Sequence, residues 1–496
     1  MGRGGRVLID KSLGRVLFRY IEIMMFLLSI SLFTIAHLKE NIDMLLISLG
    51  ILLISNMLYG IEKMKERFIF CLFNFACLFF LYGRTFIKFN QLDDWKYPFS
   101  DEIHTTTITI IYISILFLFL GALFYGQLQP KEQPKKIQKR ENFWQTKEFL
   151  KNLQIISFIV YLLCAVFLLI VEIEKPIAMN GKSYVDYYYS FQSSLPGFVL
   201  SISALAKFAL CIFLSTLPSK WMSFVAMGIY VVSTIPVFVV GQRNQFISAA
   251  LFVVCYYLLR DYIGKDKPKK WFGKFEGTAI AIALPFFFAF LSIYESIRKD
   301  IAISKVNIFS SISDLFYSQG VTYEVICKCI KYIDVLPETN FNYTFGDLIA
   351  YFKSNGISQL LFNTEKYSAQ TVEMALYGNS LSNTVSYLDL GQAYFQGAGL
   401  GSSYIVETFV DFGYVGVAIL SFILGISLLW FVKAFNKNTL SSYLILVALI
   451  QLFMLPRSSA TGWLVLLIYI PANILLIGLW IIAYLCRKTY YKTKKG

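Results

Sequence analysis

Two acidic side chains, Glu407 and Asp411, follow a glycine-rich run and stand at the start of a long apolar segment. Their i, i+4 spacing places them one turn apart on one face of a helix, where two carboxylates repel one another. A partly buried carboxylate is suited to act as a general base, which takes the proton of an attacking hydroxyl group. Glu407 is the first candidate for this base and Asp411 the second. The alternative is that both only pair with an arginine.

Four arginines stand at the ends of apolar segments on one side of the expected membrane: Arg84, Arg243, Arg298 and Arg457. An arginine at a membrane edge can simply anchor a helix end. Two features favour anion binding instead: the positive-inside rule disfavours basic residues on this side, and the guanidinium group binds phosphate in a bidentate way. We expect Arg243, Arg298 and Arg457 to hold a diphosphate leaving group as a glycosyl–phosphate bond breaks.

The glycine-rich run FQGAGLGSS precedes the two carboxylates. The backbone N–H groups of Gly399 and Gly401 are candidates for phosphate binding, and a plain flexible turn is the alternative. The following Ser402 and Ser403 are candidate N-caps for a helix that begins near Tyr404.

A cluster of aromatic residues, YVDYYYSFQ, occupies an expected outer loop. Tyr187, Tyr188 and Tyr189 are candidates for a platform on which sugar rings stack. The alternative is an aromatic belt at the level of the lipid headgroups.

Composition indicates the scaffold that must position these residues. The chain has 496 residues, 57% of them hydrophobic, and apolar runs long enough to cross a bilayer recur along it. The net charge of +14 is concentrated in alternate loops, which hold 29 of the 45 Lys and Arg. This distribution follows the positive-inside rule, places both termini in the cytoplasm and argues against a nucleic-acid partner.

We expect an all-α polytopic membrane protein with about twelve transmembrane helices. The expected spans are residues 20–36, 42–61, 68–87, 105–126, 152–171, 196–217, 222–240, 245–259, 277–294, 405–432, 440–455 and 463–485. We divide the chain into a front four-span bundle (1–128), a basic cytoplasmic linker (129–151), spans five to nine (152–294), a large and mostly helical external loop (295–404), and spans ten to twelve with a cytoplasmic tail (405–496). The adjacent Asp93 and Asp94 are only a weak signal for a metal, so neither a metal nor a cofactor is predicted.

The order of VGQRNQF between tight spans, a long external loop, GAGLGSSYIVETFVDFGYVGV and a late PRSS resembles the Wzy-type O-antigen or capsular polysaccharide polymerases. The resemblance covers the back two thirds of the chain. It implies a GT-C-like, metal-independent glycosyltransferase of the bacterial cytoplasmic (inner) membrane. Such an enzyme moves a growing glycan from one undecaprenyl diphosphate onto a repeat unit carried by another. The partners implied are undecaprenyl-diphosphate-linked oligosaccharides, the bilayer, and a chain-length regulator and flippase of the same pathway.

Two other classes of protein share parts of this pattern. A transporter or flippase of lipid-linked oligosaccharides would also have about twelve spans, but transporters place polar sites near the bilayer midplane and usually contain repeats. Here Lys207 is the only clear charge in the middle of a span. The third class is an accessory scaffold of the export machinery without chemistry of its own.

Overall fold

The computed structural model describes residues 3–91, 95–128, 146–179, 187, 191–240, 242–264, 271, 273, 276–278, 308–337, 342–364 and 367–493. Helices account for most of these residues, and the described ranges contain no strand. The prediction of an all-α fold is confirmed.

The helices of the N-terminal half are α1 (Arg3–Leu38), α2 (Ile42–Glu62), α3 (Met64–Cys77), a π-helical turn (Leu78–Tyr82), α4 (Gly83–Gln91), α5 (Asp101–Gln127), α6 (Lys147–Met179), α7 (Gly197–Ser215), α8 (Lys220–Ser233), α9 (Ile235–Val239) and α10 (Arg243–Ile263). Those of the C-terminal half are α11 (Ile308–Gln319), α12 (Thr322–Lys331), a 3₁₀ turn (Ile333–Val335), α13 (Gly346–Ser354), α14 (Gly356–Phe362), α15 (Val372–Tyr377), α16 (Leu381–Leu390), α17 (Gln392–Phe395), α18 (Tyr404–Ala434), α19 (Thr439–Leu449), a 3₁₀ turn (Leu452–Arg457), α20 (Gly462–Ile468) and α21 (Ile470–Thr493).

Eleven helical segments in the described ranges are long and apolar enough to cross a membrane. They coincide with eleven of the twelve expected spans, so the polytopic architecture is confirmed. The expected ninth span, residues 277–294, lies almost entirely outside the described residues.

The chain packs as two compact units, each assembled from segments that are distant in sequence. Unit 1 contains Met1–Gln129, Asp266–Val432 and Phe453–Gly462. Unit 2 contains Pro130–Lys265, Lys433–Leu452 and Trp463–Gly496. In unit 2, α6 packs along α7, and the Tyr161 hydroxyl donates to the carbonyl oxygen of Ala226 at 2.7 Å.

Close approach of α5 and α18 holds the core of unit 1 together. A Cβ added at Gly121 would lie 2.1 Å from the carbonyl oxygen of Phe422, and one added at Gly425 would lie 2.0 Å from that of Leu118. Only glycine allows the two backbones to come so close, as at helix contacts in membranes generally. The Ser114 hydroxyl adds hydrogen bonds to α18, including one of 2.7 Å to the Tyr404 hydroxyl. These contacts fix the start of α18 against α5.

The described residues of 308–402, which belong to unit 1, form a cap of short helices on its other helices, as expected for a mostly helical external loop. Its helix α12 packs on α5, where Tyr323 OH and His104 Nδ1 are 2.8 Å apart. Its helix α11 packs on α4. The cap therefore covers the end of unit 1 at which α5 and α18 begin.

Candidate active site

Helix α18 begins with a short segment that a kink separates from the rest of the helix. At Gly413 the backbone has φ 61° and ψ −159°, a conformation that is essentially restricted to glycine. The nine residues before it, 404–412, carry Glu407 and Asp411. At the start of the segment the Ser403 hydroxyl accepts a hydrogen bond from the N–H of Ile405 at 3.3 Å.

Glu407 is buried, with 3% of its surface exposed. One carboxylate oxygen, Oε1, accepts a hydrogen bond from the Ser402 hydroxyl at 2.6 Å. The other, Oε2, accepts one from the backbone N–H of Ala460 at 2.8 Å. Two neutral donors from different parts of the chain thus fix the orientation of this carboxylate.

Asp411 is also buried and accepts hydrogen bonds from backbone N–H groups. The N–H of Thr344 lies 2.6 Å from Oδ2, and that of Tyr343 lies 3.4 Å from Oδ1. The Thr344 hydroxyl bonds the carbonyl oxygen of Glu407, and the Thr344 carbonyl accepts from Thr461 at 3.0 Å. Asp411 therefore ties the chain just before α13 to the first turns of α18.

A third acidic residue, Asp347 in α13, stands near enough to Glu407 to repel its charge, as does Asp411. Its carboxylate is bonded by the Ser459 hydroxyl. Within the described ranges, none of these three carboxylates forms an ion pair, so the alternative that Glu407 and Asp411 only pair with an arginine finds no support there. No group of three or more His, Cys, Asp or Glu in the same ranges is arranged to hold a metal ion.

Arg457 ends the 3₁₀ turn that leads to Ala460. Its Nη1 donates to the side-chain oxygen of Gln319 at 2.9 Å, and its guanidinium carbon lies 5.8 Å from the centre of the Phe80 ring. No carboxylate in the described part of the chain pairs with it. A partly buried guanidinium whose protein partner is a neutral amide retains donors for an anionic ligand.

The glycine-rich run lies beside the backbone of Arg457. A Cβ added at Gly401 would be 3.8 Å from the Arg457 carbonyl oxygen. The residue between the two glycines, Leu400, is held by serines of α16: Ser386 Oγ accepts from its N–H at 2.7 Å, and the Ser382 hydroxyl donates to its carbonyl. Gly399 and Gly401 are exposed, and neither N–H has a hydrogen-bond partner among the described residues. Hydrogen bonds thus hold the centre of the run in place, and the glycines on either side of it are exposed.

The structure brings four groups of candidates together in unit 1, namely Glu407, Asp411, Arg457 and the Gly399–Gly401 run. Arg243 is the first residue of α10 in unit 2, and nothing is described of its side chain. Arg298, Tyr188 and Tyr189 lie outside the described residues. Tyr187 is buried, with its ring centre 5.1 Å from that of Phe191. The roles of these residues in binding diphosphate and sugar remain predictions.

Several residues of the site were not anticipated from the sequence. Asp347 looked like any other acidic residue of the cap, and nothing about Gln319 marked it as the partner of Arg457. The Ala460 N–H belongs to PRSSATG, a motif in which the arginine is the one residue that the sequence predicts to take part in the site. Its small and hydroxyl-bearing residues are the one sequence signal for a segment that bonds two carboxylates.

Arg84 and Lys88 in α4 form a second cationic group. Both side chains pair with Glu324 of α12, at 3.1 Å for Arg84 and 2.6 Å for Lys88. Arg84 also lies over the ring of Tyr317, two residues before Gln319. Arg84 and Arg457 therefore flank the same short segment of the cap.

A comparison with protein-family models matches residues 20–490 to the family described as O-antigen polysaccharide polymerase Wzy. No curated protein and no solved structure matches the chain, so a GT-C-like architecture remains a prediction. The match covers nearly the whole chain, whereas the resemblance based on motifs covered the back two thirds. The chain belongs to the O-antigen polysaccharide polymerase Wzy family, and it is therefore a multi-pass membrane enzyme of polysaccharide biosynthesis that acts on lipid-linked oligosaccharides.

Proposed function

We propose that this chain transfers a growing glycan from undecaprenyl diphosphate onto a lipid-linked repeat unit, at the outer face of the bacterial cytoplasmic membrane. Glu407 is the general base, and Arg457 binds the diphosphate. Both termini are cytoplasmic, and the cap of residues 308–402 faces outward. The reaction needs no metal in this scheme, because an arginine carries out the charge stabilisation that a cation would otherwise provide.

The observation that carries the proposal is the segment 457–460. It supplies, at Arg457, a guanidinium that no carboxylate of the described residues pairs with and, three residues later, the N–H that orients Glu407. A base and an anion-binding group are thus positioned by one stretch of backbone. Such a fixed relation between base and leaving-group ligand is what a displacement at a sugar carbon requires.

In the proposed step, a hydroxyl oxygen of the acceptor sugar attacks the anomeric carbon of the donor glycan. The hydroxyl proton passes to Glu407, while the bond between the anomeric carbon and the phosphate oxygen breaks and its electron pair stays with the diphosphate. Arg457 stabilises the charge that develops there, and Arg298 is proposed to add to it. The exposed N–H groups of Gly399 and Gly401 add donors on the same side.

Asp411 has a different part in this scheme. Both of its oxygens accept backbone N–H bonds, so it holds the chain at residues 343 and 344 against α18. We assign it a positioning role beside the catalytic Glu407.

Two substitutions test the proposal in cells that make the polymer only through this chain. Glu407→Gln retains the shape of the side chain and loses the base, and a general base contributes roughly 10²–10⁴-fold to a rate. We expect surface glycans that stop at a single repeat unit, resolved by gel electrophoresis. Arg457→Ala gives the same result, whereas Arg457→Lys retains part of the polymer because the charge remains without the bidentate geometry.

Glu373→Gln, a change of an exposed acidic residue in the cap, is the matched control and leaves chain length unchanged. The membrane level of each variant is measured with an epitope tag. Long chains from both Glu407→Gln and Arg457→Ala would show that these residues do no chemistry. Loss of all surface sugar, single units included, would indicate flipping of the lipid-linked oligosaccharide instead.

A further inference from the structure

A cavity of about 570 Å³ lies in unit 1 at the loop between α4 and α5. It is lined by Asp43 at the start of α2 and by the seven consecutive residues 95–101. Its volume lies within the range of roughly 300–1,000 Å³ that is usual for sites of small ligands. None of its lining residues belongs to the site around Glu407.

Aromatic rings form much of its wall. Trp95 is buried, with its ring 5.0 Å from that of His104, whereas Tyr97 is 75% exposed. Phe99 lies between them in exposure, with its ring 6.0 Å from that of His104. Large aromatic rings held at the edge of a polar cavity offer flat apolar surfaces for the C–H faces of sugar rings.

The polar groups of the wall are spaced between these rings. Asp43 Oδ1 accepts a hydrogen bond from Trp95 Nε1 at 2.9 Å, and Oδ2 has no partner among the described residues. Lys96 Nζ lies 3.4 Å from Asp101 Oδ1, and the side chain of Asp101 is 73% exposed. Carboxylate oxygens accept hydrogen bonds from hydroxyl groups.

The charges of the wall decide which part of a lipid-linked oligosaccharide can bind there. Asp43, Asp101 and Lys96 together contribute one net negative charge. A diphosphate would be repelled, and an acyl chain would be poorly matched to three charged groups. A hydroxyl-rich sugar without phosphate suits both the rings and the carboxylates.

The cavity opens at the same end of unit 1 as the candidate active site. His104, next to the cavity, accepts or donates hydrogen bonds at the carbonyl of Lys96 and the hydroxyl of Tyr323, each at 2.8 Å. Tyr323 precedes Glu324, the partner of Arg84, and lies four residues after Gln319, the partner of Arg457. The cap residues from Gln319 to Glu324 therefore contact both the surroundings of the cavity and those of the candidate active site.

We propose that this cavity binds sugar residues of the glycan substrate that are remote from the reacting bond, with one pyranose ring stacked on Tyr97 and hydroxyl groups donating to Asp43 and Asp101. The inference rests on the proposed function, since it assigns to the same enzyme a second contact with its carbohydrate. It makes the cavity a specificity site for the repeat unit, while bond formation stays at Glu407.

Binding of a lipid-free oligosaccharide tests the inference separately from turnover. The probe is the single repeat unit released by mild acid from its lipid carrier, titrated against the full-length purified chain in nanodiscs and followed by saturation-transfer NMR. We expect Tyr97→Ala to weaken binding roughly three- to tenfold, as loss of an aromatic stacking contact does. Tyr97→Trp retains binding.

Tyr377→Ala is the matched control, because Tyr377 is another exposed tyrosine of unit 1, at 60% exposure, and does not line the cavity. Unchanged binding by Tyr97→Ala, or no binding by the unmodified chain, overturns the inference even when Glu407→Gln is inactive in polymer synthesis. Weakened binding by Tyr97→Ala together with full activity of Glu407→Gln supports the cavity and overturns the proposed mechanism instead. Inorganic pyrophosphate added in excess to the Arg457→Ala chain is expected to leave oligosaccharide binding unchanged. Displacement in that variant would show that the cavity is an anion site and would overturn the inference.

Discussion

At the scale of single residues, Glu407 and Asp411 both carry a carboxyl group and are similarly buried, but their surroundings differ. Among the described residues, Glu407 has one hydroxyl and one backbone donor, whereas Asp411 has backbone donors only. A carboxylate that satisfies two buried N–H groups stabilises the fold, because removing it leaves those donors unpaired. The roles of the two carboxylates can therefore be distinguished by whether a substitution changes stability or polymer synthesis.

We expect Asp411→Asn to destabilise the chain by about 1–3 kcal/mol, since the new amide group sets N–H donors against the backbone donors of Tyr343 and Thr344. Thermal unfolding of the purified protein measures the change. Asp334→Asn, at an exposed acidic position of the cap, is the control and stays within about 0.5 kcal/mol of the unchanged chain. An Asp411→Asn protein that melts normally but makes no polymer would show that Asp411 is itself catalytic.

At the scale of helices, α18 depends on two kinds of glycine. Gly413 supplies a backbone conformation that other residues rarely adopt, and Gly425 supplies room for a neighbouring backbone. The first sets the direction of the segment that carries Glu407, and the second fixes α18 on α5. The role of each glycine can be tested by a substitution that changes no polar side chain.

Gly413→Ala is expected to cost about 1–3 kcal/mol through backbone strain alone, because a Cβ at this position would meet no atom within 4 Å. Gly478→Ala in α21 is a matched control, since its Cβ also meets nothing within 4 Å and its backbone has no positive φ. Alanine there is expected to be neutral or slightly stabilising, as in other helices. Equal unfolding temperatures for the two variants would refute the strain at Gly413.

Gly425→Ala is expected to destabilise unit 1 by about 1–3 kcal/mol, because the added methyl group would overlap the backbone of Leu118 in α5. Gly228→Ala in α8 has open space around its Cβ and serves as the comparison. The measurement is thermal unfolding in the same detergent. A Gly425→Ala protein as stable as the Gly228→Ala protein would contradict the close packing of α5 and α18.

At the scale of the whole molecule, the cysteines can report which side of the membrane a segment of the chain faces. Seven of the eight are buried, and only Cys486 is exposed, at the end of the last membrane helix. In the cap, burial raises the pKa of the Cys327 thiol to about 12 and that of Cys329 further, so both stay protonated and unreactive near neutral pH. A thiol reagent is thus expected to modify Cys486 alone.

We expect a membrane-impermeant maleimide to label the unchanged chain in inverted vesicles and not in intact cells, because the C-terminal tail is cytoplasmic in the proposed topology. Cys486→Ser should abolish the labelling. Tyr97→Cys in that background places a thiol at an exposed position of the loop between α4 and α5, and it should be labelled in intact cells. The opposite pattern for the two variants would invert the topology.

Much of the architecture was accessible from the sequence, because a helix that crosses a membrane needs a long apolar run and little else. The cap was recognisable as helical for a similar reason, through the helix-like periodicity of residues 313–336 and 368–378. The site was accessible only in part. Glu407 meets Ala460 across 53 residues of chain, and Thr344 meets Asp411 across 67. No local pattern specifies such pairings, and the kink at Gly413 resembles any glycine in an apolar run.

Two serine hydroxyl groups hold the backbone of Leu400: that of Ser382 donates a hydrogen bond to its carbonyl, and that of Ser386 accepts one from its N–H. A glycine-rich stretch normally loses much conformational entropy when a ligand orders it. Here hydrogen bonds to α16 already order the stretch, so a phosphate bound by the amides of Gly399 and Gly401, as proposed, would meet a preorganised site and avoid most of that loss. Replacing either serine by alanine would let the glycine-rich stretch adopt more conformations in the free protein. Substrate binding would then be weaker, although every group proposed to contact the substrate would still be present.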